Sequence, residues 1–360
     1  MMKKERFFIS ENKKAPNQNS LSSMEVKRRT IRTLVGKLSS VSEQTRADAL
    51  SELRLITKHD AESRPLIAEA DAIPYLAETL FSDSHAAQDD AAATILNLSI
   101  SCRDSLISTR GLLDALSHAL SHHRSSTSAA AVQSSAAAVY SLLVVDEYRP
   151  IVGSKRDIIY SLVDIIKAPN SPPRSVKDAL KALFGIALYP LNRGSMIELG
   201  AVPALFSLVL KDGRVGIVED ATAVVAQVAG CEESEEAFRK VSGTGVLVDL
   251  LDPATGSSLR TKENAVAALL NLGRCGGEKA VREIKEMGLG GDSGAVEGTR
   301  EVAASGSAKG KAKAVALLTM IDVGNEVRSR NGNENGNRIL FGLSDSRFDS
   351  LRNTCIITET

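Results

Sequence analysis

An all-α solenoid of three-helix units is the fold class that the sequence predicts, on three observations. First, a helical phrase of small apolar residues, plain in Ala91–Ser99 (AAATILNLS) and Ala265–Gly273 (AVAALLNLG), recurs at a period of about 40 to 46 residues. Second, the register is strict. Leu55, Asn97, Ser141, Gly185, Gln227 and Asn271 follow one another at intervals of 42 to 44 residues, and Asp48, Asp90, Ser134, Asp178, Asp220 and Asn264 stand seven residues before each of them. Seven residues are about two helical turns, so both rows share one face of one recurring helix. Third, the chain has no Trp and only 4% aromatic residues, so its interior must be built from Ala, Leu, Val and Ile, which suits close helix-on-helix packing. In such an array each unit buries its apolar face against its neighbours, leaving a long curved surface instead of a closed catalytic pocket.

The elements follow in order. Residues 1–27 are expected to be disordered; they open on a basic run (MMKKERFFISENKK) whose apolar stretch, Phe7–Ile9, is too short for a signal-peptide core. The long helix containing each row is the third of its unit. Between consecutive third helices lies a second phrase: Ala72–Leu76 (AIPYL), Gly111–Leu116 (GLLDAL), Asp157–Leu162 (DIIYSL) and Gly200–Leu205 (GAVPAL). In it a Gly or Asp ends one helix, and Pro74 or Pro203 occupies an early position of the next, where a missing N–H is harmless. These are second helices. Arg64, Arg103, Arg149 and Arg193 each mark a short first helix, followed by apolar pairs such as Leu66-Ile67 and Met196-Ile197.

Units are placed at roughly 28–70, 71–110, 111–156, 157–199, 200–242 and 243–287, with a degenerate seventh in which Gly294–Val296 echoes the Gly200 phrase and Lys313–Met320 echoes the long helix. The repeat domain spans residues 28–323, with loops at 121–128, 168–173 and 288–294, and the tail 324–360, with its Asn/Gly-rich stretch, is expected to be disordered.

Lys+Arg equals Asp+Glu at 44 each, so no global charge draws the chain to nucleic acid or to an anionic membrane. No run approaches the roughly 18 apolar residues of a membrane span. The four cysteines, Cys102, Cys231, Cys275 and Cys355, form no close pair, which fits reduced thiols in the cytoplasm or nucleus.

Period, three-helix unit and the ILNLS and LLNLG signatures together resemble armadillo repeats across residues 28 to 323. More narrowly, Leu53–Lys58 (LRLITK), Ile67–Pro74 (IAEADAIP) and Thr94–Ser99 (TILNLS) look like the armadillo region of plant U-box ubiquitin ligases. The resemblance implies a right-handed armadillo superhelix of about six to seven repeats that recognises a protein partner: a substrate, a receptor-like kinase or another regulator. It also implies a setting in ubiquitin-related plant signalling. In that family a separate U-box recruits the conjugating enzyme. Fewer than thirty residues precede the first unit here and none shows the U-box pattern, so the expectation is an interaction module that is not itself an enzyme and acts as a monomer. The alternative is an E3 ubiquitin-protein ligase whose U-box is missing from this chain or supplied by a partner.

Candidate groove residues are the polar points of the two rows, Asp90, Asn97, Asp178, Asp220, Gln227, Asn264 and Asn271, together with Lys181. Lys181 belongs to a third row, with Ser51, Ala93, Ala137, Ala223 and Ala267, where armadillo receptors of nuclear-localisation signals carry Trp to wall lysine pockets. The absence of Trp argues against that ligand. A competing reading has the Asp residues cap their helices and the Asn residues tie neighbouring backbone.

A basic cluster of Arg260, Lys262, Lys309, Lys311 and Lys313 is placed to meet an acidic or phosphorylated segment, or else is solvated surface. His118, His122 and His123 suggest a metal by spacing, but only Asp114 could extend the ligand set, so no metal is expected. Gly288–Gly291 lacks the Lys-Ser/Thr of a phosphate loop, and no catalytic constellation or cofactor motif is present.

Overall fold

Serine side chains set where most of the long helices begin. In the computed structural model, which describes residues 18–121, 128–291 and 293–332, Ser42, Ser84, Ser128 and Ser258 have non-helical backbone. Each hydroxyl accepts the N–H of Thr45, Ala87, Ala130 or Thr261, satisfying a donor with no partner inside its own helix.

The helices run in serial units. A first pair, α1 (Gln18–Leu38) and α2 (Glu43–His59), is followed by α3 (Ser63–Glu69), α4 (Ala72–Thr79) and α5 (His85–Leu98), then by α6 (Arg103–Ser108), α7 (Leu112–Ser121) and α8 (Ala129–Leu142). Next come α9 (Arg149–Gly153), α10 (Arg156–Lys167) and α11 (Pro173–Ala187), and α12 (Asn192–Glu198), α13 (Ala201–Lys211) and α14 (Val215–Val228). The last are α15 (Ser234–Lys240), α16 (Gly243–Asp249) and α17 (Leu259–Ile284), then α18 (Gly294–Ser305) and α19 (Ala308–Gly332). No strand occurs among the described residues. The span of α17 comprises two helices that meet at a sharp turn at Gly277 (φ 61°, ψ −149°), the second of them standing in the place of the final unit's first helix.

The third helices α2, α5, α8, α11, α14, α17 and α19 pack each on the next, while α4, α7, α10 and α13 form a second layer in the same order. This is the all-α solenoid that the period predicts. Close approach depends on small side chains: Ala91, Ala92, Ala136, Ala138, Ala182, Ala221, Ala265 and Ala268 are fully buried in the third-helix layer. Gly185 faces Leu143 so closely that an added Cβ would lie 2.9 Å from the leucine Cβ.

Two boundaries differ from expectation. The helix α1 begins at Gln18, well before residue 28, because its apolar stripe starts early: Met24 packs on the core, and Ile31, Leu34, Val35 and Leu38 are buried. Lys27 then pins α1 to the α2–α3 corner through Asp60 (2.8 Å) and Glu62 (3.2 Å). At the other end α19 continues past residue 323 to Gly332, with Leu317 and Ile321 buried. The remainder of the segments expected to be disordered, 1–17 and 333–360, lies outside the described residues, as does most of the 121–128 loop.

First and second helices meet at a left-handed residue in four units: Asp71 (φ 60°), Gly111 (φ 83°), Gly200 (φ 82°) and Ser242 (φ 52°). A Cβ there costs about 1–2 kcal/mol in backbone conformation. Space is open around Gly200, with nothing within 4 Å of an added Cβ, so the effect is separable from packing. In urea denaturation Gly200→Ala is expected to lower stability by about 1 kcal/mol, and Ser242→Gly to raise it by up to about 1 kcal/mol.

Candidate partner-binding groove

Counting from the first residue of each third helix, the two polar rows fall at its sixth and thirteenth positions without exception. Asp90 and Asn97 lie on α5, Asp178 on α11, Asp220 and Gln227 on α14, and Asn264 and Asn271 on α17, with Lys181 at the ninth position of α11. All eight candidate residues thus occupy one wall. Ser134 and Ser141 of α8 continue the rows between α5 and α11.

The aspartates do not cap these helices. Four of the caps are serines, α11 and α14 have no side-chain cap, and a sixth-position carboxylate is a turn too far from the helix start. Two of the carboxylates instead face cations of the preceding third helix. Arg54 Nη1 lies 2.5 Å from Asp90 Oδ1, and Lys177 Nζ lies 3.8 Å from Asp220 Oδ2. Asp178 is met from its own helix by Lys181 Nζ at 3.4 Å. At 3.8 Å the lysine is beyond hydrogen-bonding range, so Asp220 Oδ2 is buried with no donor among the described residues.

The amides reach the same way. Asn97 Nδ2 donates to Thr57 Oγ1 (3.2 Å), Asn264 Nδ2 to Glu219 O (3.0 Å) and Thr222 Oγ1 (3.1 Å), and Asn271 Nδ2 to Ala226 O (2.8 Å). Each tie links a third helix to its predecessor. No donor among the described residues serves the Oδ1 atoms of these three asparagines, which leaves acceptors along the wall.

At and just past the C-terminal ends of α5 and α8, near the thirteenth positions, apolar side chains are exposed. Ile100 and Val144 stand three residues past the thirteenth positions Asn97 and Ser141, and Tyr140 one residue before Ser141; all three are exposed. A surface of separated acceptors and shallow apolar patches suits an extended chain lying across several helices.

The marker arginines do more than label first helices. Arg64 Nε donates to Thr57 O (2.8 Å), Arg103 Nε to Ser141 O (2.8 Å) and Arg149 Nε to Leu143 O (3.2 Å). Arg193 bridges two units through Ala187 O (2.9 Å) and Gly230 O (3.1 Å). They satisfy carbonyls at the ends of third helices, where the dipole is negative. The spacing alone did not reveal this role, although the recurrence of Arg just after α2, α5, α8 and α11 was its visible signal.

The basic cluster divides. Lys262 is 6% exposed and pairs with Glu301 at 2.6 Å, so it is an internal tie of α17 to α18 and not part of an open patch. His118 packs on Phe81 with ring centroids 4.6 Å apart, while His122 and His123 lie outside the described residues. Among the described residues no group of three or more His, Cys, Asp or Glu side chains is placed to hold a metal ion. Burial pushes the Cys231 thiol up to about 12, aided by Glu233, and burial also raises that of Cys102, so neither is a thiolate nucleophile at neutral pH. No single described helix is long and apolar enough to cross a membrane.

Comparison with known proteins places this geometry. Residues 30–291 match the model of the plant U-box protein ARM repeat region. The chain is 31% identical over 270 residues to U-box domain-containing protein 16 of Arabidopsis thaliana, covering 74% of this chain and 37% of that one. It is 29% identical over 348 residues to U-box domain-containing protein 17 of the same plant, covering 92% and 45%. The chain therefore spans less than half the length of these curated relatives. Among solved structures it is similar to an engineered protein with a TM-score of 0.68 at 22% identity, covering 81% of this chain and 68% of that one, a likeness of fold.

Removing the two-unit clamp should be costly. Arg193→Ala is expected to destabilise the array by about 2–3 kcal/mol in urea denaturation, and Arg193→Lys to restore less than half of that, since an ammonium cannot span both carbonyls in the guanidinium's geometry.

Proposed function

Because the chain belongs to the plant U-box protein ARM repeat family, we propose that it is a recognition module that binds an extended segment of a protein partner along the third-helix wall. The observation that carries this reading is the set of acceptors on the two in-register rows that have no hydrogen-bond donor among the described residues: buried Asp220 Oδ2, and the Oδ1 atoms of Asn97, Asn264 and Asn271. An extended peptide offers backbone N–H groups at regular spacing, and a buried carboxylate oxygen without a donor gains most from receiving one. Asp90, Asp178, Lys181, Gln227 and the Asn ladder would orient the segment, and the small residues between them would let its backbone come close.

The partner on this reading is a substrate or regulator in ubiquitin-related plant signalling, such as a receptor-like kinase, met by a monomeric chain in the cytoplasm or nucleus. A second reading, that the chain is the recognition part of a U-box E3 ubiquitin ligase, is favoured by relatives that carry a U-box in their names and are more than twice as long as the aligned region.

Two measurements test these readings. Selection from a displayed peptide library, followed by titration, should give ligands whose affinity falls at least about tenfold in the Asp178→Lys, Asp220→Lys double variant, a loss of about 1.4 kcal/mol or more. Equal binding by both proteins removes the central wall from consideration. Autoubiquitination by the isolated chain with E1 and E2 would overturn the non-enzymatic reading, and the expected result is no transfer.

A further inference from the structure

The sixth-position row reverses its charge at the last unit. In α19 the sixth residue is Lys313, where α5, α11 and α14 carry Asp90, Asp178 and Asp220. Lys309 precedes it by one turn on the same face, and Arg274, three residues past the thirteenth position of α17, adjoins it from the neighbouring helix. None of these three cations has an ion pair among the described residues. The nearest carboxylate is already engaged: Glu263 accepts the Ser307 N–H (2.5 Å) and the Ser307 hydroxyl (2.8 Å) at the start of α19. Burial, then the charges of Arg274 and Lys309, hold the Lys313 ammonium below its ordinary range, offset in part by Glu263.

The placement also runs against helix physics. The first six residues of α19 include three lysines, and the first turn has no acidic residue, although the helix dipole makes that end positive and favours anions. Asp90, Asp178 and Asp220 of the row each sit near a cation; here three cations accumulate against the single carboxylate of Glu263. Glu263 supplies one negative charge at the start of α19, and the three cations exceed it, which leaves net positive charge for a ligand to meet.

We propose that Lys309, Lys313 and Arg274 form an anion subsite at the C-terminal end of the groove that takes a phosphorylated side chain of the bound protein segment. Three cations match a dianion with three acceptor oxygens better than a single carboxylate. The inference rests on the groove reading for its partner and fixes one end of the segment: anionic at α17–α19, and compatible with the carboxylates of α11 and α14 toward its other end.

The test uses fluorescence polarisation at low ionic strength, with the full chain and three fluorescein-labelled peptides: Gly-(phosphoSer-Gly)3, its serine twin and its glutamate twin. Wild type is expected to prefer the phosphopeptide over the serine twin by at least about tenfold, and Lys309→Glu and Arg274→Gln each to abolish most of that preference. Lys313→Met should lose the preference while melting at a higher temperature, a combination that a merely structural lysine would not show. The Asp178→Lys, Asp220→Lys variant is expected to keep the preference, so failure at the wall's centre and failure at this subsite give different patterns.

No preference in wild type, or a preference that survives Lys309→Glu and Arg274→Gln, overturns the proposal. Equal binding of the glutamate twin replaces phosphate with carboxylate, and complete displacement by an equal concentration of inorganic phosphate reduces the site to one for the free ion; either result overturns it as stated. Should Lys313→Met fail to fold, the other two variants decide.

Discussion

Everything in this molecule depends on how closely one third helix lies against the next. Helices approach to that degree only where side chains are small, and the buried alanines of α5, α8, α11, α14 and α17, with Gly185 against Leu143, supply that condition. Of the polar groups, a layer so tightly packed admits mainly small hydroxyl side chains, such as Thr94 and Thr222, which bond back to their own helix. Other polar residues are driven to its rim, where each must find a partner on the adjoining helix or in whatever fills the groove. The sixth and thirteenth positions are that rim, which is why Arg54 meets Asp90 and Asn271 meets Ala226 O across helix boundaries.

Short first helices follow from the same geometry. Stacked third helices end in a row with their last carbonyls unsatisfied, and the chain must turn there into the next unit. Arg64, Arg103, Arg149 and Arg193 answer both needs by bonding those carbonyls from the first-helix side. Asp71, Gly111, Gly200 and Ser242 then turn the chain into the second helix through the left-handed region. The fold is thus a sequence of nearly identical local solutions, and its stability is close to a sum over neighbouring units.

Binding properties emerge from what the stacking leaves unfinished. Where a rim residue finds its partner, as Asn264 does with Glu219 O and Thr222, it is mainly a tie that retains one free acceptor. Where the match is incomplete, as with Asp220 Oδ2, which has Lys177 at 3.8 Å but no hydrogen bond among the described residues, and the cations at the start of α19, charge or hydrogen-bonding capacity is left over. This plant U-box protein ARM repeat region thus carries an ordered series of acceptors followed by a concentration of positive charge, the two features on which the proposed partner binding rests.

The period, the three-helix unit and the helix face that carries the two rows were legible in the sequence, because apolar spacing and helix breakers act within a few residues of one another. The row of Asp90, Asp178 and Asp220 could be located at once. What those carboxylates do could not: capping and cross-helix pairing put the same residue type at the same spacing, and Arg54–Asp90 joins positions 36 residues apart while the Asn264–Glu219 tie joins positions 45 apart. The same limit hid the internal engagement of Lys262 by Glu301 and the lack of an ion pair at Lys313 among the described residues. Local chemistry determines which helix forms and which face it buries. Only the packing of one unit on the next decides which polar group is satisfied and which is left open, since that depends on atoms brought together from neighbouring repeats.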